Sequence, residues 1–233
     1  MRDKRRGRSQ PVPEGIYYVV RRSRQPGQPI FSDALDYATF ESLLVLALAR
    51  YRCRLLAFCW EADAIHLVMQ VSDRPVGRFL RWLCSWYSRS VSNGAVKRVL
   101  FEPTYRATLI EPGPALLSLI RYLHLGAVGV GAGTDPADSA LSSHRAYLGI
   151  VHIPWLTTAV VLRMLAPGVE LGRLEYRGIM RRPDMDGETL VDGGEHRRTL
   201  RPELFEFPSL VERNVESLEI RVIPVLSGKD ARV

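Results

Sequence analysis

Two short apolar runs, residues 53–60 and 64–71, follow each other with only three residues, 61–63, between them. Runs of this length fit β-strands, and so short a connection joins strands that are antiparallel neighbours. A segment with apolar positions at helical spacing flanks the runs on each side, residues 33–51 before them and 75–91 after them. The sequence therefore predicts a β-hairpin in the middle of a mixed α+β fold.

One more strand is predicted outside each of these helices, at Ile16 to Arg22 and near Leu100–Glu111. A further helix is predicted from Pro114 to Leu125, with Gly126 as its stop signal. The order β-α-β-β-α-β-α is typical of a ferredoxin-like split βαβ antiparallel sheet with helices on one face. This fold hosts many functions, including RNA-binding modules, so it selects none of them.

The chain divides by composition into three parts. Residues 1–13 are arginine-rich with two prolines, which predicts a basic disordered arm. Residues 14–149 hold the predicted sheet and helices. Residues 150–233 are predicted to be an extension that is partly loop-rich, because residues 168–202 abound in Gly, Asp, Glu and Arg, with a short strand or hairpin within 203–226.

The positive charge is concentrated in the first half. Residues 1–110 contain 18 Lys and Arg against 9 Asp and Glu, whereas residues 111–233 contain 14 against 16. Nearly all of these cations are arginines, whose guanidinium groups bind phosphate oxygens in a bidentate manner. A polyanionic partner is expected, and nucleic acid is the obvious one. The alternative is an arginine-rich, solvated surface that reflects coding bias.

The chain is expected to be cytoplasmic. It has no apolar run of about 18 residues, and its arginine-rich amino terminus is not followed by a hydrophobic block, so we expect neither secretion nor membrane insertion. Its cysteines, Cys53, Cys59 and Cys84, are too few for a disulfide framework and have no zinc-type spacing. They are expected to be reduced and mostly buried.

The second strand of the hairpin, Ala64-Ile-His-Leu-Val-Met69, contains one histidine between apolar residues. A lone histidine in such a place is ordinarily structural. The strand nevertheless resembles the HUH strand of the REP-associated tyrosine transposases, single-tyrosine transposases of bacteria in which two histidines two residues apart bind one metal ion. On a strand, residues two apart share a face. His66 matches the second histidine, and Ala64 stands where the first is expected.

Other fragments carry the same resemblance in the same order across roughly residues 14–165. They are Arg78-Phe-Leu-Arg-Trp-Leu83 with Trp86-Tyr87, Leu100 to Ala107, Ile120-Arg-Tyr-Leu-His-Leu125, Ser142-Ser-His-Arg-Ala-Tyr-Leu-Gly149, and Pro154-Trp-Leu156. The resemblance implies that residues 14–149 are a transposase-like HUH domain. It also implies that the chain binds single-stranded or hairpin DNA, such as REP-like palindromes, and that it is a monomer or homodimer.

In this family a tyrosine attacks a DNA phosphodiester and forms a 5′-phosphotyrosine link with the help of Mg²⁺ or Mn²⁺. By position, Tyr122 matches that nucleophile; the alternative is an aromatic side chain that packs between helix and sheet. The family's further metal ligand, one helical turn later, falls on Gly126. Ala64 and Gly126 have no donor atoms for a metal ion. The resemblance therefore implies that metal-dependent nicking is impaired or lost, and one outcome is that the chain has no metal cofactor.

Substitute ligands are restricted by strand and helix geometry. Glu61 and Asp63 lie an odd number of residues from His66, so on a regular strand they are predicted to face away. A β-bulge at Asp63-Ala64 would turn Asp63 inward, which makes it a second candidate ligand. His124 is two residues after Tyr122 on a helix, about 200° around the axis, so it points elsewhere.

The residues expected to contact nucleic acid are cationic or aromatic side chains near the predicted sheet: Arg21, Arg22, Arg24, Arg78, Arg81, Tyr105 and Arg106. Each of them taken alone is an ordinary surface residue. Two functions remain open: a protein that has lost catalysis and binds DNA or RNA as a recognition or regulatory module, and an active tyrosine transposase that works through Tyr122. The sequence favours the first.

Overall fold

The computed structural model describes residues 12–92, 99–126 and 140–181. Most of the predicted basic arm and the predicted strand or hairpin within 203–226 lie outside these residues. The elements are β1 (Ile16–Arg22), α1 (Ala34–Tyr51), β2 (Arg54–Trp60), β3 (Ala64–Gln70), α2 (Val76–Ser90), β4 (Arg106–Ile110), α3 (Pro114–Gly126), α4 (His144–Leu148), α5 (Thr158–Leu165) and α6 (Val169–Arg181).

The four strands form one antiparallel sheet in the order β2-β3-β1-β4. This is the order of a ferredoxin-like sheet, and the predicted α+β class is confirmed. Helix α1 begins where expected, because the Asp33 carboxylate accepts a hydrogen bond from the Asp36 amide at 2.9 Å. Strand β4 is shorter than predicted and starts only after Pro103, since proline lacks the amide that a ladder needs.

The sheet separates two apolar cores. One, the α1–α2 face, contains Val19, Ile65 and Leu67 from the strands and packs against α1 and α2. The other, the α3 face, contains Cys59 and Val68 and packs against α3, α5 and α6. The two helices of the split βαβ unit thus share one face as predicted, and the later helices cover the other.

Helices α5 and α6, within the predicted carboxy-terminal extension, contribute to this second core. Val161 and Leu162 of α5 and Tyr176 and Ile179 of α6 are buried there. Within the stretch 168–202 that abounds in Gly, Asp, Glu and Arg, residues 169–181 form α6. Its glycine-rich composition hides a buried stripe at helical spacing, in which Gly172 lies against the carbonyl of Leu162.

The outer edge of β2 is covered by the chain around residues 141–143 and 155–157. The Trp60 amide donates to the Leu141 carbonyl at 2.7 Å, and the Thr157 amide donates to the Leu55 carbonyl at 2.8 Å. In the part of the chain that the structure describes, no helix has the length and apolar character needed to cross a membrane.

Candidate functional site around His66

His66 lies in the middle of the sheet on the α3 face and is 5% exposed. It pairs with Cys59 on β2 and with Val20 on β1, and Val20 in turn pairs with Arg106 on β4. Directly paired residues of antiparallel strands project from the same face. The register therefore places Cys59, His66 and Arg106 in one row across the α3 face.

Each nitrogen of the His66 ring has a specific neighbour. Nδ1 is hydrogen-bonded to the hydroxyl of Tyr18 at 2.8 Å, and the two rings lie nearly parallel with centroids 6.0 Å apart. Nε2 lies 3.3 Å from Oε2 of Glu61 but has no partner in hydrogen-bond geometry. If Nδ1 carries the proton and donates it to Tyr18, Nε2 presents a lone pair beside the carboxylate. That arrangement suits a cation between them.

The prediction that Glu61 faces away from His66 was wrong. Glu61 is not on the strand of His66, because the turn between β2 and β3 intervenes. The Glu61 amide donates to the Ala64 carbonyl at 2.9 Å, so these two residues are opposite each other and share a face. Ala64 shares that face with His66, and Glu61 is therefore the diagonal neighbour of the imidazole across the hairpin.

Electrostatic effects show that Tyr122 belongs to the same cluster. The pKa of Tyr18 is raised, first by burial and then by the neighbouring Tyr122, Glu61 and Cys59. Burial and the Glu61 carboxylate raise the pKa of the Cys59 thiol to about 12, so this thiol is neutral near pH 7. The sequence had singled out His66 and Tyr122, but it had missed Tyr18 and had wrongly set Glu61 aside. Side chains alternate between the two faces of β1, so this pattern could have pointed to Tyr18 if the register of β1 against β3 had been known.

Glu61 and His66 are the residues that could hold a metal ion. Two ligand atoms each about 2.1–2.3 Å from one ion at a right angle are about 3.0–3.2 Å apart, close to the observed 3.3 Å. Within the described ranges there is no cluster of three or more His, Cys, Asp or Glu residues suited to a metal. A divalent cation would thus have two protein ligands and would take water or phosphate oxygens for the rest.

The other candidate ligands do not complete this pair. The β2–β3 ladder has its irregularity between Leu55 and Ala57, and not at Asp63-Ala64 where a bulge would have turned Asp63 inward. Gly126 is the last residue of α3. His124 points elsewhere as predicted, because its ring nitrogens contact the Tyr176 hydroxyl at 2.7 Å and the Ser143 hydroxyl at 2.6 Å.

The predicted nucleic-acid contacts are divided between the two sides of the sheet. Arg22, which pairs with Ala64, and the exposed Arg106 share the α3 face with His66. The other predicted residues lie elsewhere: Arg21, Arg78, Arg81 and Tyr105 on the α1–α2 side, and Arg24 exposed beyond the end of β1.

Arg21 is engaged within the protein. Its guanidinium donates to the Thr104 carbonyl at 2.5 Å and lies 5.4 Å from the centre of the Phe101 ring. These contacts hold the segment before β4 against the end of β1. A role of Arg21 in nucleic-acid binding stays a prediction, and so do the roles of the other predicted site residues.

No family model matches the sequence, and no curated protein matches it. A solved structure of a REP-associated tyrosine transposase bound to a REP hairpin is similar to this chain, with a TM-score of 0.53 and 13% identity over 67% of this chain and 92% of that one. An inferred transposase from Deinococcus radiodurans has a TM-score of 0.36 and 16% identity over 46% of this chain and 86% of that one, too weak a likeness to argue from. The first likeness shows a shared fold, a four-stranded antiparallel sheet covered by helices.

Proposed function

We propose that this chain binds hairpin or single-stranded DNA on the α3 face of its sheet, around His66. The observation that carries the proposal is the row across the sheet that contains His66 and Arg106, with Tyr18 on the same face. Arg22 adds a second guanidinium on the same face, beside Ala64. Guanidinium groups beside tyrosine rings provide phosphate contacts and ring faces for bases. The shared fold with a hairpin-bound transposase supports DNA as the partner.

The Glu61 carboxylate would repel a phosphate that approaches His66, unless a positive charge lies between them. Protonation of His66 or a bound divalent cation would supply that charge. A cation held by Glu61 and His66 would polarise a phosphate oxygen and neutralise developing negative charge. Because one of the two ligands is an imidazole, we expect Mn²⁺ to suit this pair better than Mg²⁺, which prefers oxygen ligands.

A second candidate function is DNA nicking through Tyr122, and the place of Tyr122 in the cluster around Tyr18 and Glu61 favours it. In that reaction the Tyr122 hydroxyl gives up its proton to water, its oxygen bonds to phosphorus, the bond from phosphorus to the 3′ oxygen breaks, and the 3′ oxygen takes up a proton from water. The product is a 5′-phosphotyrosine link and a free 3′-hydroxyl. Glu61, beside His66, would replace one of the two ligands that the sequence lacks at Ala64 and Gly126, and water would have to replace the other.

Binding is tested with a fluorescent DNA hairpin and the variants Arg106→Ala and Arg22→Ala. Loss of one phosphate contact should weaken binding uniformly across hairpin sequences and lower the slope of log K against log salt concentration by about 1. Arg50→Ala is the matched control, because Arg50 is an exposed arginine on α1, on the other side of the sheet. The proposal fails if Arg106→Ala and Arg22→Ala bind like the parent, or if Arg50→Ala loses as much.

Nicking is tested by incubating the same hairpin with Mn²⁺ and looking for a covalent adduct by denaturing gel and mass spectrometry. An adduct that is absent in Tyr122→Phe and Glu61→Gln, and present in Tyr17→Phe, would support the second function. Tyr17 is a suitable control because it lies next to Tyr18 on the opposite face of β1. Hairpin binding without an adduct in the parent would leave DNA binding as the function and exclude nicking under these conditions.

A further inference from the structure

The outer side of α2 combines arginines with tryptophans. At about 100° per residue, the side chains concerned fall within an arc of about 140°, opposite the buried Leu80, Leu83 and Tyr87. Their ends are 11 residues apart, about 16 Å along the helix axis. They are Arg78, Arg81, Trp82, Trp86 and Arg89.

The tryptophans of this stripe are accessible and held in place. Trp86 is 45% exposed, and its ring centroid is 6.0 Å from that of Trp82, which packs partly against the core. The guanidinium of Arg89 lies 5.4 Å from the Trp86 ring centroid, a cation–π contact that restrains both groups. An exposed indole in a fixed orientation is a surface on which an unpaired base can stack.

Tyr105 extends the stripe beyond the amino-terminal end of α2. A β-carbon added to Gly77 would lie 2.6 Å from the Tyr105 hydroxyl oxygen, so the absence of a side chain at Gly77 lets the tyrosine lie against the first turn of the helix. Tyr105 is itself 42% exposed. The α2 surface, defined as Tyr105, Arg78, Arg81, Trp82, Trp86 and Arg89, therefore presents three aromatic rings and three guanidinium groups.

Charge makes an anionic partner the best fit for this surface. Residues 76–90 contain no Asp or Glu, so nothing on the helix neutralises its arginines. Arginines interleaved with exposed aromatic rings are the arrangement with which proteins bind single-stranded nucleic acid: the rings stack on bases and the cations follow the backbone. A duplex would not use the rings, because its bases are already stacked.

We propose that the α2 surface binds single-stranded DNA, with a base stacked on Trp86 and phosphates contacted by the arginines. This surface is separate from the proposed hairpin site, because α2 covers the α1–α2 face and His66 lies on the α3 face. DNA is favoured over RNA because residues 76–90 also lack Asn and Gln, so the helix offers neither a carboxylate nor a carboxamide acceptor for a 2′-hydroxyl group.

The test uses the full chain and a fluorescent oligothymidylate of about 16 nucleotides, which cannot form a hairpin and fills a long single-strand site. Trp86→Ala should weaken binding by about 5-fold to 150-fold, the effect of losing one stacked base, whereas Trp86→Phe should stay within about 3-fold of the parent. Arg78→Ala should lower the slope of log K against log salt concentration by about 0.7.

Two controls are matched to these changes. Leu174→Ala removes an apolar side chain that is 59% exposed on α6, and Arg163→Ala removes an exposed arginine on α5. Both should bind the oligothymidylate like the parent. A melting temperature of Trp86→Ala equal to that of the parent would show that weaker binding is not a loss of folding.

The proposal is overturned if Trp86→Ala binds the oligothymidylate like the parent, or if Leu174→Ala loses as much affinity. It is also overturned, in favour of RNA, if an oligouridylate of equal length binds through Trp86 about ten times more tightly than the DNA. The DNA hairpin serves as the second probe. Hairpin binding that depends on Arg106 but not on Trp86 supports two separate surfaces. If the protein does not bind the hairpin but still binds the oligothymidylate through Trp86, the proposed function fails and the proposal for the α2 surface stands.

Discussion

Removing a single buried hydroxyl, by Tyr176→Phe, should strongly destabilise the half of the molecule that carries Tyr122. The Tyr176 hydroxyl of α6 contacts Nδ1 of His124 at 2.7 Å and Nδ1 of His144 at 2.5 Å. Nε2 of His124 is 2.6 Å from the Ser143 hydroxyl, which accepts a hydrogen bond from the Phe58 amide at 3.0 Å. This chain of polar groups joins α3, α4, α6 and β2, and the Tyr176 hydroxyl connects its two histidines.

The size of the effect follows from the groups that would lose their partner. Both imidazole rings are almost completely buried, His124 at 0% exposure and His144 at 4%, so water cannot readily replace the hydroxyl. A buried polar group that is left unsatisfied costs about 1–3 kcal/mol. Two such groups give about 2–6 kcal/mol, a large part of the roughly 5–15 kcal/mol by which a domain is stable. At about 2–4 °C per kcal/mol, the melting temperature should fall by roughly 4–24 °C.

Urea unfolding followed by circular dichroism measures this loss, and two conservative tyrosine variants provide the scale. Tyr147→Phe removes one hydrogen bond, from the buried Tyr147 hydroxyl to the Leu56 carbonyl at 2.9 Å, and should cost about 1 kcal/mol. Tyr105→Phe changes an exposed residue and should cost about 0.5 kcal/mol at most. If Tyr176→Phe costs no more than Tyr147→Phe, the network does not hold these helices together.

Two further predictions concern the same helices. Burial, followed by the nearby His144, holds the pKa of His124 well below its usual range. In the unfolded chain the histidine has a pKa near 6.5, so the unfolded chain binds more protons than the folded one below that pH. The free energy of unfolding should therefore be highest above about pH 6.5 and should decrease as the pH falls. Urea unfolding at several pH values should show a smaller decrease in His124→Gln, and an equal one would contradict the assignment. Separately, Gly172→Ala should cost about 1–3 kcal/mol, because a β-carbon there would lie 2.1 Å from the Leu162 carbonyl oxygen. Gly178→Ala, with nothing within 4 Å of its β-carbon, should be neutral or stabilising by up to about 1 kcal/mol. Thermal unfolding compares the two variants, and equal effects would show that α5 and α6 can separate to admit the methyl group.

The sequence contained enough to predict the sheet, because each of its elements has a local signal. The apolar runs at 53–60 and 64–71 are short and adjacent, and Asp33 is a helix cap whose effect is confined to one turn. The split βαβ order follows from these elements without any knowledge of distant contacts. The prediction of an antiparallel sheet therefore needed only local patterns and the rules of chain connection.

Helices α5 and α6 on the α3 face were harder to predict, because their signals depend on partners far away in the sequence. Helix α6 contains two glycines, Gly172 and Gly178, which count against a helix in a local reading. Gly172 is favourable only because α5 comes so close at that point. The buried pair of His124 and Tyr176, 52 residues apart, likewise has no local pattern. Such contacts are fixed by packing and could not be inferred from spacing.

The error over Glu61 shows how a strand rule fails across a turn. Within one strand, residues share a face when their numbers differ by an even amount. Across the β2–β3 hairpin, from Ala57 to the turn, paired numbers add up to 125, as Cys59 with His66 and Glu61 with Ala64. An odd sum means that an odd-numbered residue before the turn shares a face with an even-numbered residue of β3. A carboxylate at position 61 therefore lies on the same face as position 64 and His66. For this reason the absence of a second histidine on β3 does not by itself exclude the proposed metal site, and Glu61→Gln is the variant that tests whether Glu61 and His66 bind a cation.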